Sequence, residues 1–359
     1  MNPAEHHLSA NLDLLRAIAV VLVLAQHLAR RSYVETFAWM PTSSWGLFGV
    51  LLFFVHTCLV LMYSMERSHL TGSALFRNFV IRRVFRIYPL SIVAVLTALA
   101  LHLDTDINGI RGLSHGHFPG LVTASSNLLL IQNLTDVKSI PNVLWSLPFE
   151  LQMYAFLPFL FLWIGRNSFR SQRMAWPLLA LWIVSVGVAL AQPHIPHIGR
   201  LSILLFLPNF LAGVIAYALP HRPRIASSLW PVFILVLAVA FAIRPVFSTG
   251  WFLCLVLGSM IPKFREIQSP WLRWISHRIA TYSYGIYLSH QFAIWAAFGV
   301  LAAHSLAVKI PVLVAMLVAL PILLYRSIEK PMIGVGVRLA RRFTDQHENA
   351  PDSLLQSAF

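Results

Sequence analysis

Charged residues are scarce in this chain. Aspartate, glutamate, lysine and arginine make up 11% of its 359 residues, whereas hydrophobic residues make up 58%. A soluble domain usually carries about 25% charged residues, so the composition excludes an ordinary soluble protein and indicates a polytopic membrane protein. Repeats and low-complexity runs are also missing from the sequence. We therefore expect no separate soluble domain.

Cysteine is rarer still, since Cys58 and Cys254 are the only two and both lie in apolar segments. Two such cysteines do not predict a disulfide framework and say little about the redox compartment. Acidic residues are also few, so the formal net charge is +14. This charge alone would suggest nucleic-acid binding, but the basic residues lie between apolar segments, as expected beside a membrane. We therefore expect no nucleic-acid partner.

Long apolar runs, in contrast, are plentiful. A helix needs about 20 mostly apolar residues to cross a bilayer. This criterion predicts ten spans, at residues 10–29, 45–65, 87–103, 146–164, 176–192, 201–219, 229–243, 246–262, 279–302 and 310–328. The sequence thus predicts an all-α integral membrane protein, a bundle of about ten transmembrane helices. The first run contains charges and lacks a small-residue cleavage site after it, so we expect it to remain as a span.

The distribution of lysine and arginine sets the predicted orientation. With the N- and C-termini in the cytoplasm, nineteen of these residues fall in cytoplasmic loops and seven in outer loops, in agreement with the positive-inside rule. A span at 121–134 would reverse every later loop, so we expect this segment to be a re-entrant or interfacial piece at the outer face. Residues 1–340 should form one transmembrane domain, and residues 341–359 a disordered polar tail.

The first predicted span carries Asp13, Arg16 and His27 in an otherwise apolar run. A charge at membrane depth is costly unless it is paired or faces a cavity, so such residues are functional candidates. Arg16 and His27 are eleven residues apart, which places them on nearly one face of a helix, about 16 Å apart along its axis. Asp13 precedes Arg16 by three residues, a spacing that allows the two to pair. The alternative is a structural helix whose polar ends reach the interface.

The densest basic cluster lies at residues 76–89 and contains Arg82, Arg83 and Arg86. These arginines can bind phosphate groups through forked hydrogen bonds, as a nucleotide-tailed acyl donor would require. The alternative is an ordinary positive flank of the third span. Glu150 is the only acid in an apolar segment of the middle third of the chain. It must be paired, neutral or exposed to a cavity, unless it lies at the interface at a helix end.

Tyr284, Tyr287 and His290 recur at three-residue intervals in the ninth predicted span, which gives this helix one polar edge. Such an edge can bind a substrate, or it can join neighbouring helices through hydrogen bonds. Trp145, near the start of the fourth span, is a further candidate or an interfacial aromatic. His56 lies within the second span, where a structural role is the simpler interpretation.

Together these motifs resemble those of the membrane-bound acyltransferase-3 family, in the same order and over nearly the whole chain. Arg16 and His27, with Asp13 before them, are similar to the first-helix pattern of the family. The other matching motifs are GLFGVLLFFVHT at 46–57, the arginine pair 83 and 86 followed by IYP, NVLWSLPFE at 142–150, YGIYLSH at 284–290 and IEKP from 328. Each motif alone is weak, whereas the ordered set is specific.

The resemblance implies an O-acyltransferase that moves an acyl group, with acetyl expected, from cytoplasmic acyl-CoA to a hydroxyl of a cell-surface or lipid-linked carbohydrate. On this interpretation the protein lies in the cytoplasmic (inner) membrane of a bacterium and needs no metal. His27 is the expected general base, because a neutral imidazole suits proton transfer near pH 7. Glu150 would orient this imidazole as the acid of a triad does, with Asp13 also in the catalytic set.

The same interpretation divides the remaining candidates between donor and acceptor. Acyl-CoA is expected to contact Arg16, Arg82, Arg83 and Arg86. The acceptor is expected to contact Tyr284, Tyr287, His290 and Trp145. A covalent acyl-histidine relay is an open variant. Members of the family often carry a fused extracytoplasmic domain, for which this chain is too short, so we expect direct transfer or a separate periplasmic partner.

Two other classes of protein remain open. A transporter or lipid-carrier flippase would use the buried charges as an ion or anion pathway, although paired half-repeats and broken helices are not evident in the sequence. A structural subunit of an envelope complex would leave the buried charges without a role.

Overall fold

The computed structural model describes residues 9–348, apart from 33, 38, 107–108, 114–118, 166–171 and 195–200. This part of the chain is mostly helical. Its α-helices are α1 Ala10–Arg31, α2 Thr42–Ser68, α3 Gly72–Ala100, α4 Leu121–Leu128, α5 Gln132–Thr135, α6 Leu147–Ile164, α7 Gln172–Ala191, α8 Ile203–Ala218, α9 Leu229–Ile243, α10 Phe247–Met260, α11 Pro270–Trp295, α12 Leu306–Leu324 and α13 Lys330–Glu348.

Irregular helical turns and two short hairpins complete the described structure. A 3₁₀ turn, Asn142–Ser146, leads into α6, and π-helical turns, Ala296–Val300 and Tyr325–Glu329, follow α11 and α12. The strands β1 Thr36–Phe37 and β2 Met40–Pro41 pair antiparallel, as do β3 Leu103–Asp106 and β4 Gly109–Leu113. Both hairpins are loop elements, so the architecture belongs to the all-α class.

Each of the ten predicted spans coincides with a helix. Within the part of the chain that the structure describes, four helical stretches are long and apolar enough to cross a membrane, namely Ala10–Arg31, Thr42–Ser68, Asn142–Ile164 and Leu306–Phe343. Four further apolar helices are shorter, at Trp176–Ala191, Ile203–Ala218, Leu229–Ile243 and Phe247–Lys263. The helical, multi-pass architecture is therefore confirmed. The number of ten crossings and the cytoplasmic position of both termini stay predictions.

Two segments outside the predicted spans have a defined local structure. Residues 121–134 form α4 and most of α5. Helix α4 is the longer of the two and has eight residues. Eight residues rise about 12 Å, too little to cross a bilayer. Helix α13 continues to Glu348, so the segment that we expected to be a disordered tail from 341 begins as a helix. The rest of that segment, 349–359, lies outside the described residues.

Close packing at glycines holds α1, α2, α8 and α10 together. A Cβ atom added to Gly49 of α2 would lie 2.6 Å from the carbonyl oxygen of Ala19 in α1. Added at Gly258 of α10, it would meet the carbonyl oxygen of Ala212 in α8. Small residues allow membrane helices to approach this closely, and the resulting contacts replace the hydrophobic driving force that lipid does not supply. These helices form a rigid base for the polar residues of α1.

Helix α11 packs beside α1 and runs parallel to it. Four contacts follow one another in the same order along both helices, and two of them join polar side chains through hydrogen bonds. The pairs are Asp13 with His277, Arg16 with Ser283, His27 with His290, and Arg31 with the carbonyl oxygen of Phe298. The polar side chains of α1 therefore face α11 along most of the length of α1.

Candidate functional site

A first cavity, with a volume of about 90 Å³, lies among α1, α2, α3, α6 and α11. Its lining combines three arginines with one glutamate and several hydroxyl groups. The polar lining residues are Arg16, Arg83, Arg86, Glu150, His56, Thr57, Ser146, Tyr154, Ser283, Tyr284 and Tyr287. The structure thus brings together side chains from five helices that the sequence had suggested separately. His56, for which a structural role was the simpler interpretation, also belongs to this wall.

Arg16 is held in this cavity by a partner on α11. Its Nε donates a hydrogen bond of 2.6 Å to Ser283 Oγ, which in turn donates to the carbonyl oxygen of Ala280. The planar guanidinium keeps its other N–H groups available for a ligand. Asp13, whose spacing allows it to pair with Arg16, has a partner of its own on α11, because Asp13 Oδ2 lies 2.9 Å from His277 Nδ1. Helix α11 thus provides a partner for Asp13 and another for Arg16.

Glu150 lies at the start of α6 and faces the arginines. Tyr154 donates a hydrogen bond of 2.9 Å to Glu150 Oε2, from one turn further along the same helix. The role that we expected for Glu150, orientation of the His27 imidazole, does not fit this position. Glu150 shares a cavity with Arg16, and His27 lies about 16 Å further along α1. The carboxylate therefore acts on the arginines.

A second acid, Glu329, lies beside the first cavity. Glu329 Oε1 is 3.4 Å from Arg86 Nη1, and the glutamate side chain is fully buried, with 0% exposure, whereas that of Arg86 is 26% exposed. Neither carboxylate oxygen has a hydrogen-bond partner in the described part of the chain. Glu329 ends the π-helical turn after α12, and such turns are frequent at functional sites. The sequence analysis missed this residue, although it lies in the IEKP motif.

Arg82 does not line the cavity, unlike Arg83 and Arg86. One residue along a helix changes the direction of a side chain by about 100°, so Arg82 points to a different side of α3 from Arg83. The expected contact of Arg82 with the phosphates is therefore not supported by its position. Arg83 and Arg86, three residues apart, lie on the same face of α3 as predicted.

A second cavity, with a volume of about 360 Å³, contains His27. It lies further along α1, and its polar lining residues are Gln26, His27, Arg30, Ser43, Ser44, Asn142, Trp145 and Tyr287. This volume is within the usual range for a small-molecule site, roughly 300–1,000 Å³. His27 and Trp145, which the sequence suggested for different roles, thus share one pocket.

Tyr287 and Val50 line both cavities and form the wall between them. Two hydrogen bonds fix the tyrosine hydroxyl, which donates to the carbonyl oxygen of Val143 at 2.7 Å and accepts from Ser146 at 2.8 Å. Both partners belong to the 3₁₀ turn before α6. The two cavities are consequently neighbours that share a lining side chain held in place by this turn.

The polar edge of α11, formed by Tyr284, Tyr287 and His290, extends past both cavities. Tyr284 faces the first cavity and donates a hydrogen bond of 2.8 Å to the carbonyl oxygen of Ile87 in α3. His290, two turns further on, lies behind His27 with its ring centroid 5.0 Å away. The three predicted acceptor residues of α11 therefore have three different surroundings, of which only that of Tyr287 includes the second cavity.

The family model of an acyltransferase domain matches residues 9–326 of the chain. The chain belongs to the acyltransferase-3 family. Membership confirms the resemblance of the motifs and supports a multi-pass membrane acyltransferase. Comparison with curated proteins and with solved structures gives no match.

In this acyltransferase-3 member the charges of the site determine which ligands it can hold. Three arginines and two glutamates meet at or beside the first cavity, so its formal charge is positive and an anion is the complementary ligand. Among the described residues, no group of three or more histidine, cysteine, aspartate or glutamate side chains could hold a metal ion. The arginines are thus the residues of this site that can hold a charged co-substrate.

Proposed function

We propose that the protein is an acyl-CoA-dependent O-acyltransferase that modifies a carbohydrate. The observation that carries this proposal is the order of the two cavities. One contains three arginines, the other contains His27, and Val50 and Tyr287 line both. Acyl-CoA has the same order, with phosphates at one end and a thioester at the other, joined by the pantetheine arm.

In this proposal Arg16, Arg83 and Arg86 bind the phosphates and the adjoining arm. Arginine suits this role because its planar guanidinium forms paired hydrogen bonds with phosphate oxygens. The first cavity, at about 90 Å³, is smaller than an acyl-CoA, so only part of the donor would lie there. The anionic donor would compete with Glu150 and Glu329 for the arginines. The arm then passes Tyr287 toward the second cavity.

His27 would act as general base at the thioester. The acceptor hydroxyl transfers its proton to the imidazole as its oxygen forms a bond to the thioester carbonyl carbon. The carbon–sulfur bond then breaks, and the departing CoA sulfur takes the proton from the imidazolium. The products are an O-acyl ester and CoA with a free thiol, so no other reactant is needed. The covalent acyl-histidine relay differs in that His27 itself carries the acyl group between the two steps.

The second cavity is the proposed acceptor site. Its volume of about 360 Å³ suits one sugar ring, and its lining offers the flat ring of Trp145 with the amides of Gln26 and Asn142. Aromatic faces and fixed polar groups are typical of small-molecule sites. We propose a surface or lipid-linked carbohydrate as the acceptor, acetyl as the acyl group, and the inner membrane of a bacterium as the location. A separate periplasmic partner could receive the acyl group instead.

The test uses purified protein in lipid nanodiscs with acetyl-CoA, and it measures the release of free CoA thiol with and without an envelope glycan extract. We expect the extract to raise the rate. His27→Gln should lower kcat by at least about 100-fold, because general-base catalysis contributes about 10²–10⁴-fold. Arg83→Met should chiefly raise KM for acetyl-CoA, because its partner is a distant part of the donor.

Matched controls replace the same residue types away from both cavities. His69→Gln changes an exposed histidine, and Arg77→Met changes an arginine of α3 that contacts Ser73. Both should behave like the wild type. Full transfer by a correctly folded His27→Gln protein would contradict the assignment of the base. Absence of acetyl-CoA binding and turnover, together with uptake driven by a proton gradient, would favour the transporter alternative.

A further inference from the structure

His290 is a buried ionisable neighbour of the proposed base. Its side chain is 1% exposed, and its ring centroid lies 5.0 Å from that of His27, with an angle of 46° between the ring planes. His27 itself is 7% exposed. Glu150 lies in the other cavity, and none of the described residues that line the cavity of His27 is an acid.

The hydrogen bonding of His290 fixes where its proton lies. Its Nδ1 is 3.0 Å from the carbonyl oxygen of Ile286, one turn earlier in α11. A carbonyl oxygen can only accept, so Nδ1 carries the hydrogen, and Nε2 of the neutral ring is an acceptor with a free lone pair. This Nε2 is buried and has no hydrogen-bond partner in the described part of the chain.

His27 has the complementary unsatisfied group. Its Nδ1 is also buried and lacks a hydrogen-bond partner among the described residues, while the side chain lines the second cavity. If Nε2 of His27 takes a proton from the acceptor hydroxyl, Nδ1 must already carry a hydrogen. A buried N–H group without a partner is costly, so this hydrogen requires an acceptor.

The spacing of the two rings suits a direct bond between these nitrogens. An N–H···N hydrogen bond spans about 3 Å, and each ring adds about 1 Å from nitrogen to centroid, so the centroids of bonded imidazoles lie about 5 Å apart. The observed separation is 5.0 Å. The two nitrogens are not bonded in the structure. Rotation about the Cβ–Cγ bond of His27, a torsion that is soft in histidine, is the movement that the bond would require.

We propose that His290 is the positioning residue of His27: its Nε2 accepts the hydrogen bond of His27 Nδ1–H and so holds the base in its active tautomer. The chain Ile286 carbonyl, His290, His27 then takes the place of the acid and histidine of a triad. His290 also stabilises the imidazolium that forms as His27 takes the proton, without becoming protonated itself. This inference rests on the proposed role of His27 as general base.

The experiment compares two replacements of His290 that differ in one property. His290→Phe keeps a flat ring but removes the acceptor, whereas the side-chain oxygen of His290→Gln offers an acceptor near the position of Nε2. Acetyl-CoA turnover with the glycan extract is measured in nanodiscs, alongside thermal unfolding of each protein. We expect kcat of His290→Phe to fall about 10- to 100-fold, with KM for acetyl-CoA unchanged. We expect kcat of His290→Gln to be at least about tenfold higher than that of His290→Phe.

The same replacement of His290 in a protein that also lacks His27 distinguishes this inference from the proposed function. In His27→Gln protein, His290→Phe should cause no further loss, because the group that it positions is already missing. Equal kcat for His290→Phe and wild type, with His27→Gln inactive, would overturn the positioning role alone. So would equal losses in the Phe and Gln variants, which indicate a packing role. An active His27→Gln protein, or a wild type without turnover, would overturn the proposed function and this inference together.

Discussion

The contact between Arg86 and Glu329 allows a quantitative prediction about stability. It joins α3 to the π-helical turn after α12, and it is the only ion pair with a fully buried carboxylate among the described residues. Arg86→Met removes the cation, Glu329→Gln removes the anion while keeping the shape, and the double variant removes both. The coupling between the two changes measures the pair itself.

The expected coupling follows from the geometry. Two unit charges 3.4 Å apart attract each other by about 5 kcal/mol at an effective dielectric constant of about 20. Because Arg86 is 26% exposed and Arg16 also lies near the carboxylate, we expect roughly 2–4 kcal/mol. Each single variant should be destabilised by about 3–5 kcal/mol, since it leaves a buried charge without its partner. The double variant should be more stable than the sum of these losses predicts.

Unfolding by sodium dodecyl sulfate in mixed micelles, followed by tryptophan fluorescence, supplies the four free energies. The chain has 11 tryptophans as probes. A second cycle, with Arg77→Met in place of Arg86→Met, is the control, because Arg77 contacts only its neighbour in the same helix turn. There the changes should add within about 0.5 kcal/mol. The same additivity in the Arg86 cycle would refute the electrostatic account of Glu329.

Three further changes test the packing and the hydrogen bonds near the site. Tyr287→Phe should lower the free energy of unfolding by about 1–2 kcal/mol through the loss of two buried hydrogen bonds, whereas Tyr88→Phe, which loses one exposed bond, should change it by less than about 0.5 kcal/mol. Gly258→Ala forces a methyl group against the backbone of α8 and should cost about 1–3 kcal/mol, whereas Gly334→Ala has open space and should be neutral or slightly stabilising. Asp13→Asn should cost less than about 1 kcal/mol and leave acyl transfer within about twofold of wild type, because its histidine partner is largely exposed. Chemical unfolding and thiol-release assays check all three, and a tenfold loss of transfer in Asp13→Asn would return this residue to the catalytic set.

The sequence predicted those features that depend on one helix at a time. The helical class and the positions of the apolar helices follow from hydrophobic runs, which any membrane helix must have. The shared face of Arg16 and His27, and that of Arg83 and Arg86, follow from helical periodicity alone. Each of these predictions needs only the geometry of a single element.

The features that the sequence could not predict depend on which helices meet and at what depth. Asp13 is within reach of Arg16 by spacing, but α11 brings His277, 264 residues away in the chain, within hydrogen-bond distance of it. Glu150 lines the cavity of the arginines and His27 lines the other, because the depth of Glu150 along α6 relative to α1 is set by tertiary packing. Glu329 acquires its importance only when the turn after α12 packs against α3.

The division of charge between the two cavities has a consequence for the order of events. The charges that can hold a phosphate-bearing donor lie on one side of Tyr287, and the two histidines lie on the other. A donor bound to the arginines reaches His27 only if its arm displaces or passes the Tyr287 side chain, whose hydroxyl is held by the turn before α6. Under the proposed function, a change that frees the Tyr287 side chain should therefore alter the rate at which the thioester reaches His27. The affinity for the donor should not change, because the arginines bind its phosphates. Tyr287→Phe keeps the ring and removes both hydrogen bonds of the hydroxyl. A change in kcat with an unchanged Kd for acetyl-CoA would show that Tyr287 acts as a gate and does not bind the phosphates.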